Sequence, residues 1–196
     1  MIAMVSKFAY ALVLLATAAG LAWADEPYPF AGVFSQLEAK PEADYGMTKF
    51  TCLASFTIQR SDGSYTAYHI DSATVGSGKI MFHPYESGSC SYTAVTNMEH
   101  CKVSKSNWGE SEYFIQHAGQ KDGAMRLNQV NFKTPNHLSE IAMRKCPFDE
   151  AHIMPFLSEE FLNYSDDDFS WTILRWLPFN PGLGPKIAKA LGLAAP

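Results

Sequence analysis

From Phe50 to Ile58 apolar residues stand at every second position: Phe50, Cys52, Ala54, Phe56 and Ile58, with mostly polar neighbours between them. A period of two is the signature of a strand with one buried face, because successive side chains of an extended chain point to opposite sides. Ser61-Asp62-Gly63 follows at once. Asp-Gly supplies the positive φ angles that a tight hairpin turn requires, so the chain is expected to reverse there. The rhythm then repeats. Short apolar-alternating runs are expected at Ser64–Ile70, Lys79–His83 (halted by Pro84), Cys90–Thr96, Cys101–Lys105, Glu112–His117, Met125–Phe132 and Leu138–Cys146, with Tyr85–Ser89 a turn. About eight strands spaced at roughly 8–12 residues predict a mainly β fold, an antiparallel barrel or sandwich. A register change or bulge is expected between Leu127 and Val130.

The two ends of the chain differ from this pattern. Met1–Ala24 carries Lys7, an apolar run from Phe8 to Ala19, and Ala22-Trp23-Ala24 before Asp25. That is the layout of a secretory signal peptide, and the apolar run is short of the roughly 20 residues a membrane span needs. Export to a periplasm or the medium, with cleavage after Ala24, is the expectation. Asp25–Tyr28 reads as a loose lead-in. Beyond Cys146-Pro147 the chain turns helix-like: Ser158 is a plausible N-cap for Glu159–Leu162, and Asp166–Asp168 precede Phe169–Leu177, which Arg175 and Pro178 close. Pro185–Leu193 suits a last short helix. The expected organisation is a signal peptide (1–24), an antiparallel β domain (25–147) and a short helical C-terminal tail (148–196) packed on it.

Four cysteines remain after export: Cys52, Cys90, Cys101 and Cys146. An even count in an exported chain reads as two disulfides. Three pairings are open; Cys90–Cys101 within a hairpin and Cys52–Cys146 across the domain are favoured. The C-x-x-C spacing of zinc, haem-attachment and redox motifs does not occur, so no metal or cofactor is expected. The formal charge of −5 becomes −6 once Lys7 is removed, and the basic residues are scattered. Nucleic acid is not an expected partner.

Chemistry-bearing residues offer little pattern. His69, His83, His100, His117, His137 and His152 lack the spacing of zinc ligands, although His69 and His83 suit neighbouring strands. Asp166–Asp168 lack the glycine and distant glutamate of a calcium loop. Gly109-Glu110-Ser111-Glu112-Tyr113 opens like a nucleophile elbow, but Tyr113 stands where the second glycine must permit the strained turn. No catalytic residue is therefore assigned. Phe169, Trp171, Ile173, Trp176 and Leu177 form the most apolar stretch after the leader; the expected role is a helix docked on the sheet, with a partner- or membrane-facing patch as the alternative.

Phe30-Ala31-Gly32-Val33-Phe34, placed just before the run of strands, resembles the start of a lipocalin-type (calycin) barrel. That family opens with Gly-x-Trp, whose aromatic closes the floor of an eight-stranded cup. Phe34 stands here in place of Trp, and the family's arginine partner has no clear counterpart. The resemblance implies a barrel with an interior site. Export, disulfides, aromatic strands and the lack of a catalytic constellation lead to the expectation of a non-enzymatic binder of a small apolar ligand or of a cell-envelope partner. The alternatives are a structural envelope protein acting through its C-terminal aromatic segment and an enzyme whose residues assemble from distant positions.

Overall fold

A computed structural model describes residues 27–38, 51–71, 74, 77, 79–107, 112–121, 124–131, 138–161 and 183–193. Eight antiparallel strands close into one barrel in chain order: β1 (Gly32–Glu38), β2 (Ser55–Gln59), β3 (Ser64–Ile70), β4 (Phe82–Thr93), β5 (Met98–Ser106), β6 (Glu112–Lys121), β7 (Ala124–Asn131) and β8 (Leu138–Lys145). β8 returns to β1 with Phe34 opposite Lys145 and Glu38 opposite Ile141, so no edge is left unpaired. Barrel, and not sandwich, is the architecture. Turns shorter than the opposite loops join the strands at one end. In the first of them Asp62 Oδ1 accepts from the Ser64 amide, and Gly63 adopts φ +81°. A Cβ at Gly63 would lie 2.4 Å from the Cys90 carbonyl oxygen, so glycine is required there for space as well as conformation.

Period-two alternation divides the apolar residues between two sides of the wall. The outward side of β1–β4 presents Val33, Phe56, Ile58, Tyr68, Ile70 and Phe82. They pack beneath Leu53 on the helical turn α1 (Thr51–Ala54) and Ile153 on α2 (Glu150–Ile153), which a 3₁₀ turn, Met154–Phe156, continues. Ile187, Ala188 and Leu191, on and just after α3 (Leu183–Ala190), complete that layer. Asp149 caps α2 by accepting from the His152 amide, and His152 Nε2 lies 2.7 Å from the Leu191 carbonyl oxygen, tying α2 to the end of α3. Past α2, Leu157 bridges to Phe82, and the Ser158 amide donates to the Phe82 carbonyl. The other side of the wall forms a second cluster, inside the barrel, that includes Tyr65, Cys101, Tyr113, Ile115, Leu127 and Ile141.

Several expectations need correction. Residues 51–54 are a helical turn, so the strand begins at Ser55 and Cys52 precedes it. Pro84 does not halt its strand: β4 runs through it and through Tyr85–Ser89, which is strand and not turn. Tyr68 pairs with Pro84 and Ala67 with Glu86, leaving Tyr85 as an extra residue; a bulge is where a strand tolerates proline, which has no amide hydrogen to give. Residues Ala94–Asn97, partly assigned to a strand, form the β4–β5 turn, with Asn97 at φ +53°. The irregularity expected on β7 lies opposite it, where β6 shifts register between His117 and Gly119. Tyr28 is no loose lead-in but is buried, its amide donating to the Ser61 carbonyl.

Cys90 bonds Cys101 across β4 and β5, directly opposite in register, and Cys52 bonds Cys146 between α1 and the end of β8. The leader 1–24, His137, Gly109–Ser111, Asp166–Asp168 and the Phe169–Leu177 stretch lie outside the described residues.

Candidate functional site

The short-turn end of the barrel is floored. Residues 27–30 cross beneath it, and the Tyr28 hydroxyl donates to Glu99, a carboxylate buried at 2% exposure that His117 Nε2 approaches from the other side. Phe30 stacks on the His117 ring at 4.1 Å and meets Tyr92 edge-on at 4.9 Å. The Tyr92 hydroxyl donates to Asn97 Oδ1, and Asn97 Nδ2 donates to the His117 carbonyl. Burial and the Glu99 charge push the Tyr28 phenol far above its ordinary value, so it stays a donor. A buried carboxylate is tolerable only with such partners.

Above this floor the lumen holds a partly open cavity of about 180 Å³. Its wall is built by strand pairing: Gln59 faces Tyr65 across β2–β3, Thr57 faces Ala67, and Ala67 faces Glu86 across β3–β4. Those residues all project inward and line it, joined on the far side by Tyr113, Ile115, Leu127 and Ile141. Two phenols converge on one oxygen of Glu86: Tyr65 at 2.9 Å and Tyr113 at 3.2 Å. Desolvation, and then the Glu86 charge, drive both phenol pKa values well above 10, which keeps both hydroxyls protonated and donating. Gly88 makes this possible. A Cβ there would stand 2.8 Å from the Tyr65 ring and 2.2 Å from the Lys102 carbonyl oxygen, so a larger residue would displace the phenol from Glu86.

Tyr85, extruded at the β4 bulge, also lines the cavity, and its ring stacks on His69 at 3.9 Å. Burial lowers the His69 pKa to about 3 and leaves the imidazole neutral. His69 and His83 do stand opposite each other on β3 and β4, but the latter turns Nδ1 to the Glu160 carbonyl at 3.0 Å and Nε2 towards Asp71 at 3.8 Å. His100 pairs with Glu112 at 3.3 Å near the surface. Among the described residues the one trio with donor atoms within 4.8 Å of one another is Cys90, Glu99 and Cys101. Its two sulfurs are bonded to each other and have no thiolate to offer a metal. No protein-family model and no curated protein matches the chain.

No motif in the sequence marks Glu86, Tyr65 or Tyr85, Tyr113 draws notice there only as the residue in place of an elbow glycine, and Glu86 falls within the expected Tyr85–Ser89 turn. The alternation of Tyr65 with Ala67 and of Tyr113 with Ile115 marks inward faces, but only closure of the barrel brings β3, β4 and β6 round one carboxylate.

Proposed function

We propose that the chain is an exported, lipocalin-type carrier that takes one small ligand into the barrel lumen. The cavity carries this reading. An eight-stranded barrel is just wide enough either to fill with side chains or to hold one small molecule, and this one leaves space. The Gly32-Val33-Phe34 start of β1 and the floor laid by residues 27–30 support the family assignment. The signal-like leader and the two disulfides support export.

Size refines the ligand. Drug-sized molecules occupy pockets of about 300–1,000 Å³, whereas an apolar cavity of about 150 Å³ takes benzene. A space of about 180 Å³ fits a single-ring compound. Gln59, Gln129, Glu86 and the phenols make the wall only half apolar, so the ligand carries a polar group besides its ring. The test is native mass spectrometry of the full-length protein from its own host, beside Leu127→Trp, which plugs the lumen. A bound mass of single-ring size on the wild type and none on the plugged variant is the expected pair. A bare wild type whose melting temperature is unmoved by single-ring compounds would rule the carrier out.

A further inference from the structure

We infer that the lumen site recognises an organic ammonium ion, the cationic group lying against Glu86 and the rings of Tyr65, Tyr85 and Tyr113 while its apolar ring rests on Leu127 and Ile141. The inference rests on the carrier reading and names the ligand class for the same cavity. Glu86 is the charged residue among the described side chains lining the space. An anionic ligand would meet its repulsion in a partly desolvated setting where charges interact strongly. A cation gains there, because charge-assisted hydrogen bonds to a carboxylate are the strong ones.

The aromatic groups favour the same sign. Tyr65 and Tyr113 stand 6.5 Å apart with their planes at 63°, so they present differently directed faces to one volume. Tyrosine faces are electron-rich and attract ammonium groups, more so when water is excluded. The phenol hydrogens are already directed at Glu86 Oε1. Each phenol therefore holds the carboxylate in place, which preorganises the acceptor before a ligand arrives. Gln59 and Gln129 add neutral amide oxygens able to accept N–H hydrogens. The apolar remainder of the wall suits a hydrocarbon ring of the size given above.

Isothermal titration of the full-length protein with 2-phenylethylammonium, 2-phenylethanol and 3-phenylpropionate at pH 7 separates the charge classes at nearly constant shape. The ammonium should bind about tenfold or more tightly than the alcohol, with the carboxylate weakest. In Glu86→Gln the ammonium should lose at least about tenfold, while the alcohol stays within about threefold of its wild-type affinity. Tyr113→Phe keeps the ring and removes one donor to Glu86; it should weaken the ammonium less than Glu86→Gln does. If the alcohol or the carboxylate matches the ammonium on wild-type protein, the charge assignment is overturned and the carrier reading stands. If none of the three binds, the ammonium assignment falls, and the carrier reading falls with it only where the native mass spectrum also shows a bare wild type. Should Glu86→Gln fail to fold by near-ultraviolet circular dichroism, the ranking of the three probes on wild-type protein decides.

Discussion

Leu53 and Leu127 are buried to nearly the same extent, at 4% and 2% exposure, but on opposite sides of the barrel wall. Truncating each to alanine removes the same hydrocarbon. The cost then divides into a transfer contribution common to both and a cavity contribution that depends on what surrounds the side chain, within a span of about 2–5 kcal/mol. Leu53 is enclosed in the filled outer layer with Phe56, Phe148 and Ile153, so its removal leaves a void whose lining loses contacts outright. We expect Leu53→Ala to cost about 4–5 kcal/mol. Leu127 borders the existing 180 Å³ space and has packing partners on fewer sides. Its truncation enlarges a cavity already present, and Leu127→Ala should cost only about 2–3 kcal/mol. Urea unfolding followed by tryptophan fluorescence measures both, with unchanged slopes showing that the folded and unfolded states remain comparable. Equal losses, or a larger one for Leu127→Ala, would mean that the lumen is a packed core, and the argument from free space would fail.

The two disulfides should differ in weight with the chain they enclose: replacing Cys52 and Cys146, 94 residues apart, should cost about 4–5 kcal/mol, and replacing Cys90 and Cys101, 11 apart, about 2–3 kcal/mol by the same unfolding assay. His69 titrates near 3 when folded and near 6.5 when unfolded, so below pH 6.5 the unfolded chain takes up a proton that the native state refuses. Its contribution is absent above that range and costs stability as pH falls towards 3, by up to about 1.4 kcal/mol per pH unit; the difference between wild type and His69→Phe, measured across pH 3–8, should show that slope below pH 6.5 and become constant above pH 7.

Much of the wall is legible in the sequence because alternation is a local property. Phe56 and Ile58 against Thr57 and Gln59 report the two faces of β2, and Asp62-Gly63 reports where the chain must reverse. The misreadings occur where tertiary context overrides a local signal. Pro84 breaks strands that need every amide, but the bulge at Tyr85 removes that need. Cys52 fits the alternation, yet α1 forms beneath α3 in the outer layer, where Leu53 is buried. The site is harder still. Tyr65, Glu86 and Tyr113 are 21 and 27 residues apart in sequence, and nothing local marks them as sharing an acceptor. Their meeting is a consequence of closure and register.

The division of the apolar residues explains how such a lumen can remain unfilled. A barrel whose only core is its interior must pack that interior to hold the chain together. Here Val33, Phe56, Ile70 and Phe82 are buried on the outside instead, beneath α1, α2 and α3, and Cys52–Cys146 fastens that outer layer. Phe56 meets Phe82 and Phe148 edge-on at 4.9 and 5.5 Å, contacts that add to the area they bury. Burying each such side chain contributes about 1.5–3 kcal/mol, so stability is drawn from outside the wall. The interior is thereby released to carry a carboxylate, amides and phenols, groups that a load-carrying core would exclude. Substitutions in the outer layer should therefore change stability without changing which ligand is preferred, whereas Glu86→Gln should change which ligand is preferred.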